Sequence, residues 1–335
     1  MLDLTFEDES ENTMTQPTHP GITRSLQRIA DSDGFVLVCA VDHLAEFEIL
    51  LGPVGSVPYA EIVEAKEAVV RAVAGEVSAV LLDPDYGIGH LVASGAVPPH
   101  VGIVASLEAE NYEFPDGPRG SILREGWTPA DAAAAGADAL KFLWFYRPDL
   151  DPTVASAQRS LLTATHRAAA AAGIPLIVEP IWYAVQGEDT ADPAWLTARA
   201  EGIVASASEV TALGCDVLKV EFPGSVATAD DRAAAEEVCR RLDAAITVPW
   251  VILSAGVSFD AFLVQVEIAC RAGASGYMAG RSVWGDVVTQ GSTAIALERI
   301  RALNAVTRRH GRPLGLTVPL DRALDDLPRG WYRRA

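Results

Sequence analysis

Eight short, nearly continuous apolar runs recur along this chain, and Ala-rich stretches with helical periodicity fill most of the gaps between them. The runs are 35–42 (FVLVCAVD), 78–83 (SAVLLD), 101–106 (VGIVAS), 138–145 (DALKFLWF), 175–180 (PLIVEP), 216–222 (DVLKVEF), 249–254 (PWVILS) and 276–280 (GYMAG). A strand wetted on one face alternates apolar and polar residues, whereas a strand covered on both faces does not. These runs therefore predict parallel strands, joined by helices over 58–76, 152–172, 193–213, 229–243 and 258–272, with a last helix near 293–310. Eight such strands close most naturally into a single (β/α)8 TIM barrel, a fold of about 250 residues that fits the span 23–312. Residues 1–22 read as a flexible, disordered acidic leader and 313–335 as a C-terminal tail. The tail, with Pro-rich stretches and Trp331 and Tyr332 near its end, either folds back on the barrel or packs on a neighbouring subunit, so a homo-oligomer stays open.

Composition narrows the partners. A formal net charge of −19 argues against nucleic acid, whose phosphates are bound by an excess of basic groups. No apolar run approaches the roughly 20 residues of a membrane span. The N-terminus is polar and acidic where a signal peptide is basic and then apolar, which predicts a cytoplasmic protein. Cys39, Cys215, Cys239 and Cys270 are widely spaced, as buried thiols in a reducing compartment would be, rather than a disulfide framework. His43 and His90 could meet near the first two strands, but no third ligand accompanies them, so no metal is expected.

The lysines carry the sharpest chemical signal: only Lys66, Lys141 and Lys219 stand among 26 basic residues. Lys66 lies in a helical pattern flanked by glutamates and reads as a solvated helix residue. Lys141 and Lys219 are each embedded in an apolar strand, the fourth and the sixth, where an ammonium group is costly unless paired. One reading is a pair of buried salt bridges, Lys219 with Glu221 or Asp216. The other is imine chemistry, which needs a neutral amine and is helped by a second cation close by. Two of three lysines on strands whose inward side chains can converge favour the second.

Glu179 ends the fifth strand, between those two, and is the candidate proton-transfer group, with a pKa raised by burial; its alternative is a salt bridge to Lys141. Asp42 and Asp83 end the first two strands, with Asp85 just beyond; carboxylates there often only cap a loop, and Asp42 is the best placed. Strands seven and eight lead into Ser254, Ala255 and Gly256 and into Gly280 and Arg281, a pattern suited to a phosphate. The long segment 107–127 follows the third strand, on the face where barrel sites are built, and Thr128–Pro129 starts a helix after it.

Taken together, VLLDPDYG (80–87), GADALKFLWFY (136–146), the Glu179 strand, GCDVLKVEFP (214–223), LSAGVS (253–258) and GRSVW (280–284) resemble the tagatose 1,6-bisphosphate aldolase family, which includes aldolases of sulfofructose 1-phosphate. The resemblance implies a class I aldolase without a cofactor: Lys219 as the Schiff-base lysine, Lys141 as its neighbour, Glu179 as acid and base, Asp42 as an active-site aspartate. It implies a sugar phosphate as substrate, with the phosphate of a dihydroxyacetone phosphate half at Ser254, Gly256, Gly280 and Arg281. The first strand departs from the family's A-[IV]-D-Q-R, with His43 and Leu44 after Asp42. That leaves the aldehyde half phosphorylated, sulfonated or neither, with Arg147, Arg119 or Arg124 as substitutes for the missing arginine. A transaldolase using the same lysine, or a binding barrel without turnover, are the alternatives.

Overall fold

The computed structural model describes residues 20–109, 117–291, 293–327 and 329–331. Of the leader expected over 1–22, residues 1–19 lie outside them, and 20–22 already open a helix. Eight parallel strands pair in chain order and close, β1 against β8, into the barrel that the apolar runs predict. Helix α1 (Pro20–Ile29) precedes β1 (Val36–Ala40), and α2 (Ala45–Glu48) and α3 (Tyr59–Val73) lead to β2 (Ala79–Leu82). Then α4 (Ile88–Ala93) joins β2 to β3 (Gly102–Ser106), and α5 (Pro129–Ala134) joins β3 to β4 (Ala139–Phe145). The middle of the chain alternates α6 (Pro152–Ala171), β5 (Leu176–Ile181), α7 (Pro193–Leu213) and β6 (Val217–Val220). It continues with α8 (Ala229–Ala244), β7 (Trp250–Leu253), α9 (Phe259–Arg271) and β8 (Gly276–Ala279). Finally α10 (Arg281–Gln290) follows β8, α11 (Ala294–His310) packs on both α3 and α9, and α12 (Leu320–Asp326) lies in the tail.

Helix starts are written locally. Thr128 and Thr228 form capping boxes with Asp131 and Asp231, and Asp151 and Asp192 cap helices that open with proline. Each cap supplies an acceptor to backbone N–H groups that have none inside the helix. Most paired strands are shorter than the apolar runs: 216–222 is paired as β6 only over Val217–Val220, and Glu221 follows beyond it.

Alternate residues along the strands separate into two cores. Val36, Val38, Leu81, Val104, Ile177, Val217 and Val251 belong to the barrel interior, while Leu37, Cys39, Val80, Leu140, Val178 and Leu218 face the helices. The interior core also takes Ile22, Leu26 and Ile29 from α1 and Leu314 from the tail. Gly102 shows which end they close: a Cβ there would lie 2.5 Å from the Arg28 carbonyl oxygen, so α1 crosses the start of β3. Burying each such Leu or Ile contributes about 1.5–3 kcal/mol. The N-terminal end of the barrel is thus stoppered, and the C-terminal end is left for a site. Of the two tail placements, its first part folds back, since Leu314 N donates to Gly34 O at 2.9 Å. All four cysteines are free and buried, and no helix among the described residues is long and apolar enough to cross a membrane.

Candidate active site

Strand period places the polar layer. Moving inward by two residues, Ala40 is followed by Asp42, Ala139 by Lys141, Ile177 by Glu179 and Val217 by Lys219. These four side chains stand one layer above the apolar interior and line a cavity of about 240 Å³. His43, Glu46, Arg119, Leu143, Phe145, Ile181, Ser254, Ala255, Gly256, Gly280 and Arg281 share its wall. Every residue singled out for chemistry on strands one and four to eight therefore reaches one space.

Lys219 Nζ donates to Glu179 Oε2 at 2.9 Å, and Lys141 Nζ approaches the same oxygen at 3.4 Å. Lys141 also pairs with Asp42 Oδ2 at 2.8 Å and with Glu108. One carboxylate thus stands between the two ammonium groups, and the salt bridge to Lys141 weighed for Glu179 is present beside the contact to Lys219. Neither suggested partner of Lys219 touches it: Glu221 pairs with Arg199 at 2.8 Å, and Asp216 accepts from Leu176 N at 2.8 Å. Lys141 and Lys219 are 1% and 5% exposed, a depth at which a charge persists only when paired.

The titration of Glu179 corrects the sequence expectation. Burial alone would raise its pKa, but Lys219 and Lys141 outweigh burial and hold it below the ordinary glutamate value. Burial likewise opposes ionisation of Asp42, yet Lys141, His43 and Lys219 hold it well below the usual carboxylate range. His43 moves the other way. Burial, with Arg281, Lys219 and Lys141 adding to it against the pull of Asp42, pushes the imidazole down to about 4, so it is neutral near pH 7.

On the β7–β8 side, Gly280 N donates to Ser254 Oγ at 3.3 Å. Ala255 has φ 46° and Gly256 has φ 71°, two successive residues in the left-handed region. A non-glycine residue there costs of order 1–3 kcal/mol, and such strain clusters at ligand sites. A Cβ on Gly256 would lie 3.2 Å from Arg281 Nη2, so the glycine lets the guanidinium lie close over the turn. Arg281 Nη1 is 3.3 Å from Glu46 Oε1, and its Nε is buried without a hydrogen-bond partner among the described residues.

Other sequence readings change in three dimensions. Lys66 is not solvated: it is 0% exposed, pairs with Asp83 and donates to Val41 O at 2.9 Å and His43 O at 2.8 Å. Ile62, Val69, Val70 and Val73 share its buried helix face, and that spacing is the signal the flanking glutamates obscured. Asp83 also caps its loop, accepting from Tyr86 N at 2.7 Å. Of the three substitute arginines, Arg147 is held by Glu188 and Asp149 and Arg124 by Asp85, while Arg119 lines the cavity with its guanidinium 4.1 Å from the Phe145 ring centre. His90 meets Tyr59 rather than His43. Sequence reasoning missed Glu108, which continues the inward series of Val104 and Ser106 past the end of β3, and Glu46.

A closed eight-stranded barrel with a buried lysine and carboxylate at its C-terminal mouth defines a class of barrel enzymes built for carbonyl chemistry. The chain belongs to the DeoC/LacD family of aldolases, whose model matches residues 37–286. It is accordingly a carbon–carbon lyase. It is 26% identical over 277 residues to tagatose 1,6-diphosphate aldolase 1 of Enterococcus faecalis, covering 79% of this chain and 84% of that one. Tagatose 1,6-diphosphate aldolase 2 of Streptococcus mutans is 27% identical over 316 residues, 86% of this chain and 94% of that one. Among solved structures, an archaeal fructose 1,6-bisphosphate aldolase has a TM-score of 0.60 at 20% identity, covering 85% of this chain and 98% of that one. Fructose-bisphosphate aldolase from Slackia heliotrinireducens has a TM-score of 0.62 at 18% identity, covering 95% and 94%. These last two share the fold.

Proposed function

We propose that the chain cleaves a ketose phosphate reversibly, through an imine at Lys219, to dihydroxyacetone phosphate and an aldehyde. The observation that carries this reading is the 2.9 Å contact between Lys219 Nζ and Glu179 Oε2 on the cavity wall. It gives the ammonium proton an acceptor where a carbonyl carbon can reach the nitrogen. The amine adds to the C2 carbonyl, and the carbinolamine hydroxyl leaves as water after protonation by Glu179. Glu179, again a carboxylate, accepts the C4 hydroxyl proton as the C3–C4 bond breaks. The bonding pair passes into the iminium, the aldehyde departs, and the remaining enamine is protonated at C3. Hydrolysis then releases the three-carbon product and restores Lys219. The iminium is the electron sink, and the lowered pKa of Glu179 keeps it in the carboxylate form that can accept the C4 proton.

In this reading Lys141, held by Asp42 and Glu108, keeps Glu179 ionised and oriented. The phosphate of the three-carbon half lies at Ser254, Ala255, Gly256, Gly280 and Arg281, and the aldehyde half lies against Leu143, Phe145 and Ile181, with Arg119 in the same wall. Borohydride reduction in the presence of dihydroxyacetone phosphate, followed by peptide mass spectrometry, is expected to leave a reduced adduct on Lys219. An unmodified Lys219 in protein that cleaves ketose phosphates overturns the reading.

A further inference from the structure

We propose that Glu46 is a resident counter-anion of the phosphate site, which a substrate phosphate replaces on Arg281 while Glu46 takes up a proton from solvent. The inference rests on the reading of Arg281 as the phosphate-binding cation. Glu46 belongs to α2, the short helix after β1, and sends its carboxylate across the cavity mouth to Arg281 Nη1 at 3.3 Å. The same guanidinium has a buried Nε with no hydrogen-bond partner among the described residues, so one carboxylate leaves its donors only partly used. A phosphate, with three acceptor oxygens, can engage that fork more fully than a carboxylate held at one oxygen.

The charges around Glu46 say what happens when the anion arrives. It faces Arg281 from α10, Asp42 from the end of β1, Glu179 from β5 and Lys141 from β4, with His43 neutral beside it. Burial raises its pKa, Asp42 and Glu179 add to that, and Arg281 and Lys141 only partly oppose it. A phosphate on Arg281 removes the main opposing interaction and adds negative charge beside Glu46, so both changes favour the protonated acid. The acid O–H can then donate to a phosphate oxygen. One proton enters with the ligand and leaves with it, and no covalent bond changes. The opposite role, in which Glu46 merely orients Arg281 for phosphate, predicts weaker binding when the carboxylate is removed.

sn-Glycerol 3-phosphate separates these outcomes, because it carries the phosphate but no carbonyl and so forms no imine. Titration calorimetry on the full chain, between pH 6 and 8.5 in buffers of different ionisation enthalpy, reads both affinity and proton uptake. Glu46→Gln is expected to tighten binding at pH 8 by about two- to fivefold, the range of a partly exposed ion pair. The gain should narrow toward pH 6, where Glu46 in the unaltered chain is more often protonated. Proton uptake in excess of the ligand's own is expected in the unaltered chain and lost in the variant, and in turnover the effect should fall on KM more than on kcat. Equal or weaker binding by Glu46→Gln at pH 8, or equal proton uptake by both proteins, overturns the inference. Arg281→Ala is expected to lose most of the affinity; if it binds as tightly as the unaltered chain, the phosphate-site reading itself fails, whatever Glu46 does.

Discussion

Lys66 and Lys219 are both buried and both paired to a carboxylate, but they differ in what completes the shell of the nitrogen. Lys66 uses its three donors on Asp83, Val41 O and His43 O, with the rings of Phe47 and Tyr86 5.2 and 5.6 Å away. It ties α3 to the end of β1 and to β2. Lys219 has Glu179 as its hydrogen-bond partner among the described residues, and the rest of its nitrogen faces the cavity. Scarcity and burial of lysine therefore mark both kinds of site equally. What sets the amine proposed to react apart from the structural one is that the described residues do not use all of its donors.

Removing each lysine in turn is the hardest test of that contrast. Lys219→Met is expected to lower cleavage by about a thousandfold or more while leaving a cooperative unfolding transition, since Glu179 keeps Lys141. Retained turnover would dissolve the distinction. Lys66→Met should instead cost about 3–5 kcal/mol of stability in urea unfolding, because Asp83 is left charged and buried. Adding Asp83→Asn, which removes that charge and keeps an acceptor for Tyr86 N, should recover most of the loss. If the single variant is as stable as the unaltered chain, Lys66 is not the structural member of the pair.

The smallest effect concerns pH. Asp42 and Glu179 have folded pKa values below their unfolded ones, so each contributes stability above the unfolded value of about 4 and loses it as pH falls through the folded value. Asp42→Asn should be destabilising by about 2 kcal/mol at pH 6 and by progressively less below pH 4, measured by denaturant titration. A penalty independent of pH would show that Asp42 acts through shape rather than charge.

The barrel was legible because strands covered on both faces must be apolar throughout, and only one closed arrangement accommodates eight of them with helices between. The meeting of Lys141, Glu179 and Lys219 was legible for a similar reason, since strand period two fixes which residues point inward. Lys66 was misread because the negative neighbours Glu64 and Glu67 suggested solvent, while its spacing from Ile62 and Val69 put it on the packed face. Glu108 escaped notice because it follows β3 in a segment without strand character, although it keeps that strand's inward phase. That Arg119 lines the cavity while Arg147 pairs with Glu188 and Arg124 with Asp85 depends on neighbours brought near by folding. The direction of Glu179's titration needed distances to two lysines, which no sequence supplies.

Helix α1 has one more implication. By sealing the N-terminal end of the barrel with Ile22, Leu26 and Ile29, it makes the cavity a blind chamber whose floor is the apolar layer below Lys219. Under the proposed imine reaction, the fragment nearer the C-terminal mouth clears the chamber before the fragment still attached to Lys219 can follow.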